Sequence, residues 1–154
     1  GGDSSRLYQS LAKEKELVIG VGGFVDERIG VGALYIGATV RSGRKTADVE
    51  AAIYAEIERL MERPIAQWEL QKAKNGTRFG LLQSIRSAQT RATMLGSYTV
   101  KFDDPDLINT RLERINAVTA EDVRRVAKQY LRPQNRTVVI AAPAAPPAAA
   151  QSGA

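Results

Sequence analysis

The chemistry that this chain could carry out is limited, because its sequence lacks two reactive amino acids. Its 154 residues include no histidine and no cysteine. Catalytic zinc sites nearly always include histidine, and serine or cysteine nucleophiles use a histidine base. Any catalysis by the chain alone would have to use carboxylates, lysine or tyrosine. We therefore expect no catalytic residue, no metal ligand and no bound cofactor in this chain.

One short segment near the start combines a cation with hydroxyl groups, at Ser5, Arg6 and Tyr8. An arginine can hold a carboxylate through two hydrogen bonds, or it can bond helix carbonyls. We interpret Arg6 as such an anchor rather than as a substrate contact. Arg91 and Tyr98 are seven residues apart and would share a helix face. A surface arginine beside a packed tyrosine explains that pair.

The charge of the chain has two interpretations. A net charge of +5 could favour nucleic acid or another anionic surface. However, the basic residues are scattered among Asp and Glu, with no run longer than Arg44-Lys45 or Arg124-Arg125. We interpret them as solvated, so a basic nucleic-acid-binding domain is an alternative that we do not favour. Because the basic residues are scattered, we expect no nucleic-acid partner. No apolar run approaches the roughly 20 residues of a membrane span, so we also expect no membrane partner.

The first elements follow from the spacing of apolar residues. A helix is predicted over 3–15, capped by Asp3, Ser4 or Ser5. The period then changes to two, which predicts strands at 17–25 and 31–41 joined as an antiparallel hairpin. One face of the first strand would carry Leu17, Ile19, Val21 and Val25.

The rest of the chain is mostly helical in pattern. Apolar stripes and caps predict helices at 47–62, 66–84, 87–100, 105–116 and 120–130, followed by a strand at 137–141. This order predicts an α+β fold in which helices pack on one face of an antiparallel sheet. Three strands leave exposed edges, which favours a missing N-terminal part or a partner that supplies strands. We expect a partial domain over 1–142 and a disordered Ala/Pro-rich tail over 143–154.

Five segments, taken in order, resemble the pitrilysin/insulinase family of zinc metallopeptidases, which includes mitochondrial processing peptidase. They are Gly1-Gly2 with Ser5-Arg6-Leu7, Ala38-Thr39-Val40-Arg41, Glu69-Leu70-Gln71-Lys72-Ala73-Lys74-Asn75, Leu95-Gly96-Ser97-Tyr98, and Ile115 to Val123 continued by Tyr130-Leu131-Arg132-Pro133. In this family the first segment lies inside a domain. The resemblance therefore implies most of one C-terminal domain, with its first part missing.

The resemblance also implies a role. Family enzymes close two halves, each a pair of homologous domains, around a chamber, and the zinc motif His-x-x-Glu-His lies in the first domain of the catalytic half. The opposite half of many relatives holds substrate with an Arg and a Tyr, whose places fall here on Ala12 and Ile19. Neither side chain can donate a hydrogen bond. The implied role is a non-catalytic structural domain that braces the catalytic domain and walls the peptide chamber, with Ser5, Arg6 and Tyr8 as a structural or chamber-facing motif.

The same resemblance sets the expected partners. Zinc would belong to the parent enzyme and not to this chain. The partners would be an upstream homologous catalytic domain, a second peptidase half in a homo- or heterodimer, and a peptide substrate. The alternative is a domain of a non-catalytic assembly subunit, like the core proteins of respiratory complexes. Bacterial relatives are often exported, so the favoured compartment is the periplasm.

Overall fold

The computed structural model describes residues 2–142, and the tail predicted at 143–154 lies outside the described residues. It has the predicted α+β composition, with helices packed on one face of an antiparallel sheet. The elements are α1 (Arg6–Tyr8), a π-helical segment (Gln9–Glu14), β1 (Val18–Asp26), β2 (Ala33–Val40), α2 (Thr46–Glu62), α3 (Gln67–Ser84), α4 (Ala88–Phe102), α5 (Leu107–Ala117), α6 (Ala120–Tyr130) and a 3-10 turn (Pro133–Asn135).

The opening helix begins at a serine cap and widens after one turn. The Ser5 hydroxyl oxygen accepts a hydrogen bond from the Tyr8 N–H at 3.3 Å. The Lys15 N–H then reaches the carbonyl of Ser10, five residues back, at 3.0 Å. Such a π-helical turn holds one more residue than an α-turn. It buries Ser10, Leu11 and Ala12 together against the sheet.

The hairpin contains a β-bulge that reverses part of the predicted face pattern. Val18 lies opposite Val40, but Gly20 lies opposite Thr39, so Ile19 is an extra residue in β1. The bulge puts Val18 on the same face as Val21 and leaves Ile19 66% exposed. The predicted common face for Leu17, Ile19, Val21 and Val25 is therefore wrong, because it assumed uninterrupted alternation.

The strand predicted at 137–141 is also wrong. Within residues 2–142 the sheet has two strands, β1 and β2, and residues 137–141 pair with neither. Val139 is 87% exposed. The segment has high strand propensity, but a strand forms only where a second strand offers its backbone groups. Its start is held by Arg136, whose guanidinium lies 3.7 Å from the ring centroid of Tyr54 on α2.

The core lies between the opening helix, the bulged end of the hairpin and α2. Its buried members are Leu11, Ala12, Val18, Val49 and Ala52. α6 packs on α2 and buries Ala127, whereas α5 contacts both α3 and α4. Within residues 2–142, no helix has the length and apolar character needed to cross a bilayer.

The predicted cap of the last helix is confirmed. The Asp122 N–H donates to the Thr119 hydroxyl at 3.1 Å, and the Thr119 N–H donates to the Asp122 carboxylate at 3.0 Å. The hydrogen bonds from Thr119, first through its hydroxyl and then through its backbone, lower the pKa of Asp122 to about 2. This reciprocal box satisfies two N–H groups at the start of α6.

The bulge predicts that two neighbouring substitutions differ in their effect on the free energy of unfolding. Val18→Ala should lower the free energy of unfolding by about 2 kcal/mol, because it opens a cavity beside Leu11. Ile19→Ala should change it by less than about 0.5 kcal/mol, because that side chain faces solvent. Urea unfolding of the two variants measures both. A larger loss for Ile19→Ala than for Val18→Ala would contradict the bulged register.

Candidate functional site

The opening helix is tied to α3 by an arginine–glutamate pair. Arg6 Nη2 donates to Glu69 Oε2 at 2.8 Å, and Arg6 Nε donates to Glu69 Oε1 at 3.3 Å. Both side chains are largely withdrawn from solvent. Two parallel N–H···O bonds fix the orientation of the groups as well as their distance. The pair joins residues that are 63 positions apart in the sequence.

Glu69 also starts its own helix. The Ala66 N–H donates to Glu69 Oε2 at 3.2 Å, which satisfies a backbone donor ahead of the first turn of α3. The hydrogen bond from Arg6 is the main cause that lowers the pKa of Glu69, and the Ala66 N–H adds to it, while burial acts in the opposite direction. The carboxylate is therefore ionised at neutral pH and can accept the hydrogen bonds from Arg6 and the Ala66 N–H.

Two lysines of the same segment reach backbone carbonyls elsewhere in the fold. Lys72 Nζ donates to the carbonyl of Ser4 at 2.8 Å, ahead of α1. Lys74 Nζ donates to the carbonyl of Asn116 at 2.6 Å, near the end of α5. Leu70, which lies between Glu69 and Lys72 in the sequence, is buried. The segment Glu69 to Asn75 thus works as a clamp between the opening helix and α5.

The three residues of the candidate motif have separate positions. Ser5 caps α1, Arg6 pairs with Glu69, and Tyr8 packs against the core. Lys13 Nζ lies 5.9 Å from the Tyr8 ring centroid. Within residues 2–142, no hydrogen bond joins the side chains of any two of these three residues.

A cavity of about 270 Å³ lies where the opening helix meets α2 and α3. Its lining residues are Ser4, Arg6, Gln9, Ser10, Glu14, Glu56, Arg59, Trp68 and Glu69. The sequence patterns did not predict Ser10, Glu56 or Trp68 as residues of a site. One signal was available, because Glu56 follows Val49 by seven positions and Ala52 by four, which places a glutamate in the buried stripe of α2.

Two polar groups of this cavity are buried. The Glu56 side chain is only 3% exposed, and its Oε1 accepts a hydrogen bond at 2.8 Å from Arg59, which is 62% exposed. The hydroxyl of Ser10 is withdrawn from solvent and has no hydrogen-bond partner within the part of the chain that the structure describes. Buried polar groups normally have partners, so Ser10 needs an explanation.

A second cluster holds the hairpin tip to the helices. Arg111 of α5 donates through Nη2 to Glu27 Oε1 at 3.0 Å and through Nη1 to the Tyr98 hydroxyl at 2.9 Å. Lys101 Nζ donates to the Glu27 carbonyl at 2.8 Å. Burial lowers the pKa of Arg111, but the bond to Tyr98 and the charge of Glu27 outweigh it, so the net shift is upward. Tyr98 is therefore paired with Arg111, while Arg91 donates to the carbonyl of Ile85.

The described residues do not fit a zinc site. Within residues 2–142, no group of three or more Asp, Glu, His or Cys side chains is placed to hold a metal ion. The whole sequence contains no histidine or cysteine. The places implied for a substrate-holding Arg and Tyr are a core alanine, Ala12, and the bulge residue Ile19.

The first half of the chain identifies its family. The model of the peptidase M16 inactive domain matches residues 1–77, half of the chain. The chain belongs to the M16 peptidase family, as an inactive domain. This confirms the resemblance to the zinc metallopeptidases.

Relatives of the M16 domain extend the comparison. An uncharacterized zinc protease of Mycobacterium tuberculosis is 30% identical over 131 residues, which cover 85% of this chain and 30% of that protein. The inactive peptidase domain of a proposed zinc protease from Bordetella parapertussis has a TM-score of 0.80 at 25% identity, covering 96% of this chain and 80% of that one. The periplasmic protease PqqL from Escherichia coli shares the fold, with a TM-score of 0.62 at 19% identity over 81% of this chain and 14% of that one. The chain therefore spans about 30% of the length of this mycobacterial relative.

The Arg6–Glu69 pair should show measurable coupling. In a double-mutant cycle with Arg6→Met and Glu69→Gln, we expect a coupling energy of about 1 kcal/mol, because the pair is bidentate and partly shielded from solvent. The control is the exposed pair of Arg124 and Glu121, 3.5 Å apart on α6, where about 0.3 kcal/mol is expected. Equal coupling in the two cycles, measured by urea unfolding, would contradict a special role for Arg6.

The same pair predicts a pH dependence with a definite sign. The folded-state pKa of Glu69 lies below its ordinary value of 4.5, so its contribution to stability is present above that value and is lost as the pH falls through the folded pKa. Arg6→Met removes the main cause of the shift. The stability gap between wild type and variant should therefore be largest at neutral pH and narrow as the pH falls below 4.5. Asp122 titrates in both proteins and cancels, so a constant gap would refute this assignment.

Proposed function

We propose that this M16 domain is a non-catalytic structural domain that braces the catalytic domain of a zinc-dependent endopeptidase and walls its peptide chamber. The observation that carries the proposal is the amount of surface that the domain leaves uncovered. An inactive domain with its own complete core would not need a partner, whereas this one exposes much of its apolar surface.

The exposed area can be compared with that of a compact monomer. The chain exposes 11272 Å², whereas a compact monomer of 16.7 kDa exposes roughly 7,600 Å². Even if residues 143–154 had the exposure of an unfolded stretch, about 1,500 Å², about 2,000 Å² of excess would remain. A standard interface covers about 800 Å² on each partner. The excess supports a large and permanent interface.

The outer face of the hairpin is the part that we assign to the chamber wall. Gly20, Gly22 and Gly37 lie on this face, and a Cβ atom added at any of them would meet no atom within 4 Å. Beyond them Phe24 and Tyr35 stack with centroids 4.9 Å apart and are largely exposed. Because glycines carry no side chain, another polypeptide backbone can approach this face closely. The free strand edges offer backbone groups to an extended peptide.

The remaining parts of the proposal concern the parent protein. Zinc would be held by the catalytic domain, since the residues described here do not fit it. A second peptidase half would complete the chamber, as a copy or as a different chain. We place the parent in the periplasm, the compartment named for the relative from Escherichia coli.

Reconstitution tests the bracing role. We expect this chain, co-expressed with the rest of its parent protein, to copurify with it, and we expect the complex to contain zinc and cleave peptides. The chain alone should do neither. Stoichiometric zinc or peptide cleavage by the isolated chain would contradict the proposal. A stable complex without zinc or cleavage would instead identify a non-catalytic assembly subunit.

The wall can be tested with a substitution that the fold tolerates. Gly22→Leu fills open space on the outer sheet face, so it should leave the melting temperature nearly unchanged and lower kcat/KM of the reconstituted enzyme for long peptides. The matched control is Gly76→Leu, which also enters open space but lies on α3. Equal activity in the two variants would remove the hairpin face from the chamber wall.

A further inference from the structure

The cavity between the opening helix, α2 and α3 carries an excess of negative charge. Two arginines and three glutamates line it, namely Arg6, Arg59, Glu14, Glu56 and Glu69. Both arginines are already engaged, Arg6 with Glu69 and Arg59 with Glu56. Glu14 has no ion-pair partner within residues 2–142. An anion would have to compete with these carboxylates, whereas a cation would be attracted to the carboxylate of Glu14.

One buried polar group of the cavity also lacks a partner. The carboxylate of Glu56 is held through Oε1 by Arg59. The buried hydroxyl of Ser10, in contrast, has no hydrogen-bond partner among the described residues. A buried polar group that forms no hydrogen bond costs about 1–3 kcal/mol. Such groups persist where water or a ligand completes them.

An aromatic ring completes the set. Trp68 lines the cavity and is 65% exposed, and the ammonium group of Lys72 lies 5.9 Å from its ring centroid. The face of an indole ring attracts ammonium and guanidinium groups. The volume of about 270 Å³ exceeds the roughly 30 Å³ share of one water molecule, so a small organic group has room.

We propose that this cavity is a binding site for an alkylammonium or guanidinium group. In it, Glu14 and Glu56 supply the carboxylates, Ser10 accepts a hydrogen bond, and Trp68 covers the cation. The group could be carried by a free amine or by an arginine or lysine side chain of a polypeptide. The site lies apart from the outer hairpin face, so it does not depend on the chamber role proposed above.

The chain contains a built-in probe for this site, because Trp68 is its only tryptophan. We expect titration of the full chain with agmatine to give a saturable change in tryptophan fluorescence. An acetylated Ala-Arg-Ala amide should do the same, and its citrulline counterpart and inorganic phosphate should not. Tighter binding of the arginine peptide than of agmatine would point to a polypeptide source, and the reverse to a free amine.

Variants connect the signal to the named residues. Glu14→Gln should weaken agmatine binding about tenfold, because it removes a charge-assisted contact from an exposed position. Ser10→Ala should weaken it about fivefold. The control is Glu58→Gln on the exposed side of α2, which should bind as wild type does.

Three results would overturn the proposal. These are the absence of a saturable change with agmatine, equal binding by Glu14→Gln and wild type, and a stronger response to phosphate than to agmatine. Thermal unfolding of each variant in the same buffer separates lost binding from lost structure. Because the readout uses the isolated chain, its failure would leave the reconstitution experiment unaffected.

Discussion

The bidentate pair of Arg6 and Glu69 is the interaction on which the arrangement of this domain depends. It joins the core around the opening helix to the layer of α3, α4 and α5, and the hydrogen bond from Lys72 to the Ser4 carbonyl adds a second polar contact there. Because the pair is bidentate and partly shielded from solvent, removing either partner loses both hydrogen bonds and leaves the other charge unpaired. The same carboxylate receives the N–H of Ala66, so the bond that joins the layers also fixes where α3 begins.

At the opposite end of the domain, the Glu27–Arg111 cluster has a similar role. It fastens the hairpin tip to α4 and α5 with hydrogen bonds rather than with apolar packing. Between these two connections the apolar surfaces stay open, as the exposed rings of Trp68 and Phe79 show. An isolated two-stranded hairpin is marginally stable at best. Here it persists because its bulged end is packed against Leu11 and α2, while the rest of the sheet remains available to other chains.

Much of the fold could be predicted from the sequence, because helices and hairpins follow from local patterns. The five long helices and the capping box at Thr119 are local in this sense. The bulge at Ile19 could not be located, because a glycine-rich strand tolerates an extra residue at several positions. The strand expected at 137–141 failed for another reason. Its residues favour strand geometry, but pairing depends on a partner that lies elsewhere.

The site was less predictable than the fold, because its contacts join distant parts of the sequence. The local sequence could indicate that Arg6 pairs with a carboxylate, but it could not identify Glu69 as the partner. Glu56 was visible only as a charge in an apolar stripe, and Ser10 gave no signal, since its burial results from the π-helical turn. Only the structure brings these residues together with Trp68 around one cavity.

One of the two places that the resemblance implies for a substrate-holding pair lies in the core of this M16 domain. Ala12, at the place implied for a substrate-holding arginine, lies in the core beside Leu11. A guanidinium there would be buried among apolar side chains without a partner, at a cost of several kcal/mol. Ile19, at the other place, sits on the bulge that turns Val18 inward. Ala12 thus belongs to the core, so a substrate-holding arginine there would require the opening helix to pack differently, whereas the Ile19 side chain faces solvent and does not impose this constraint.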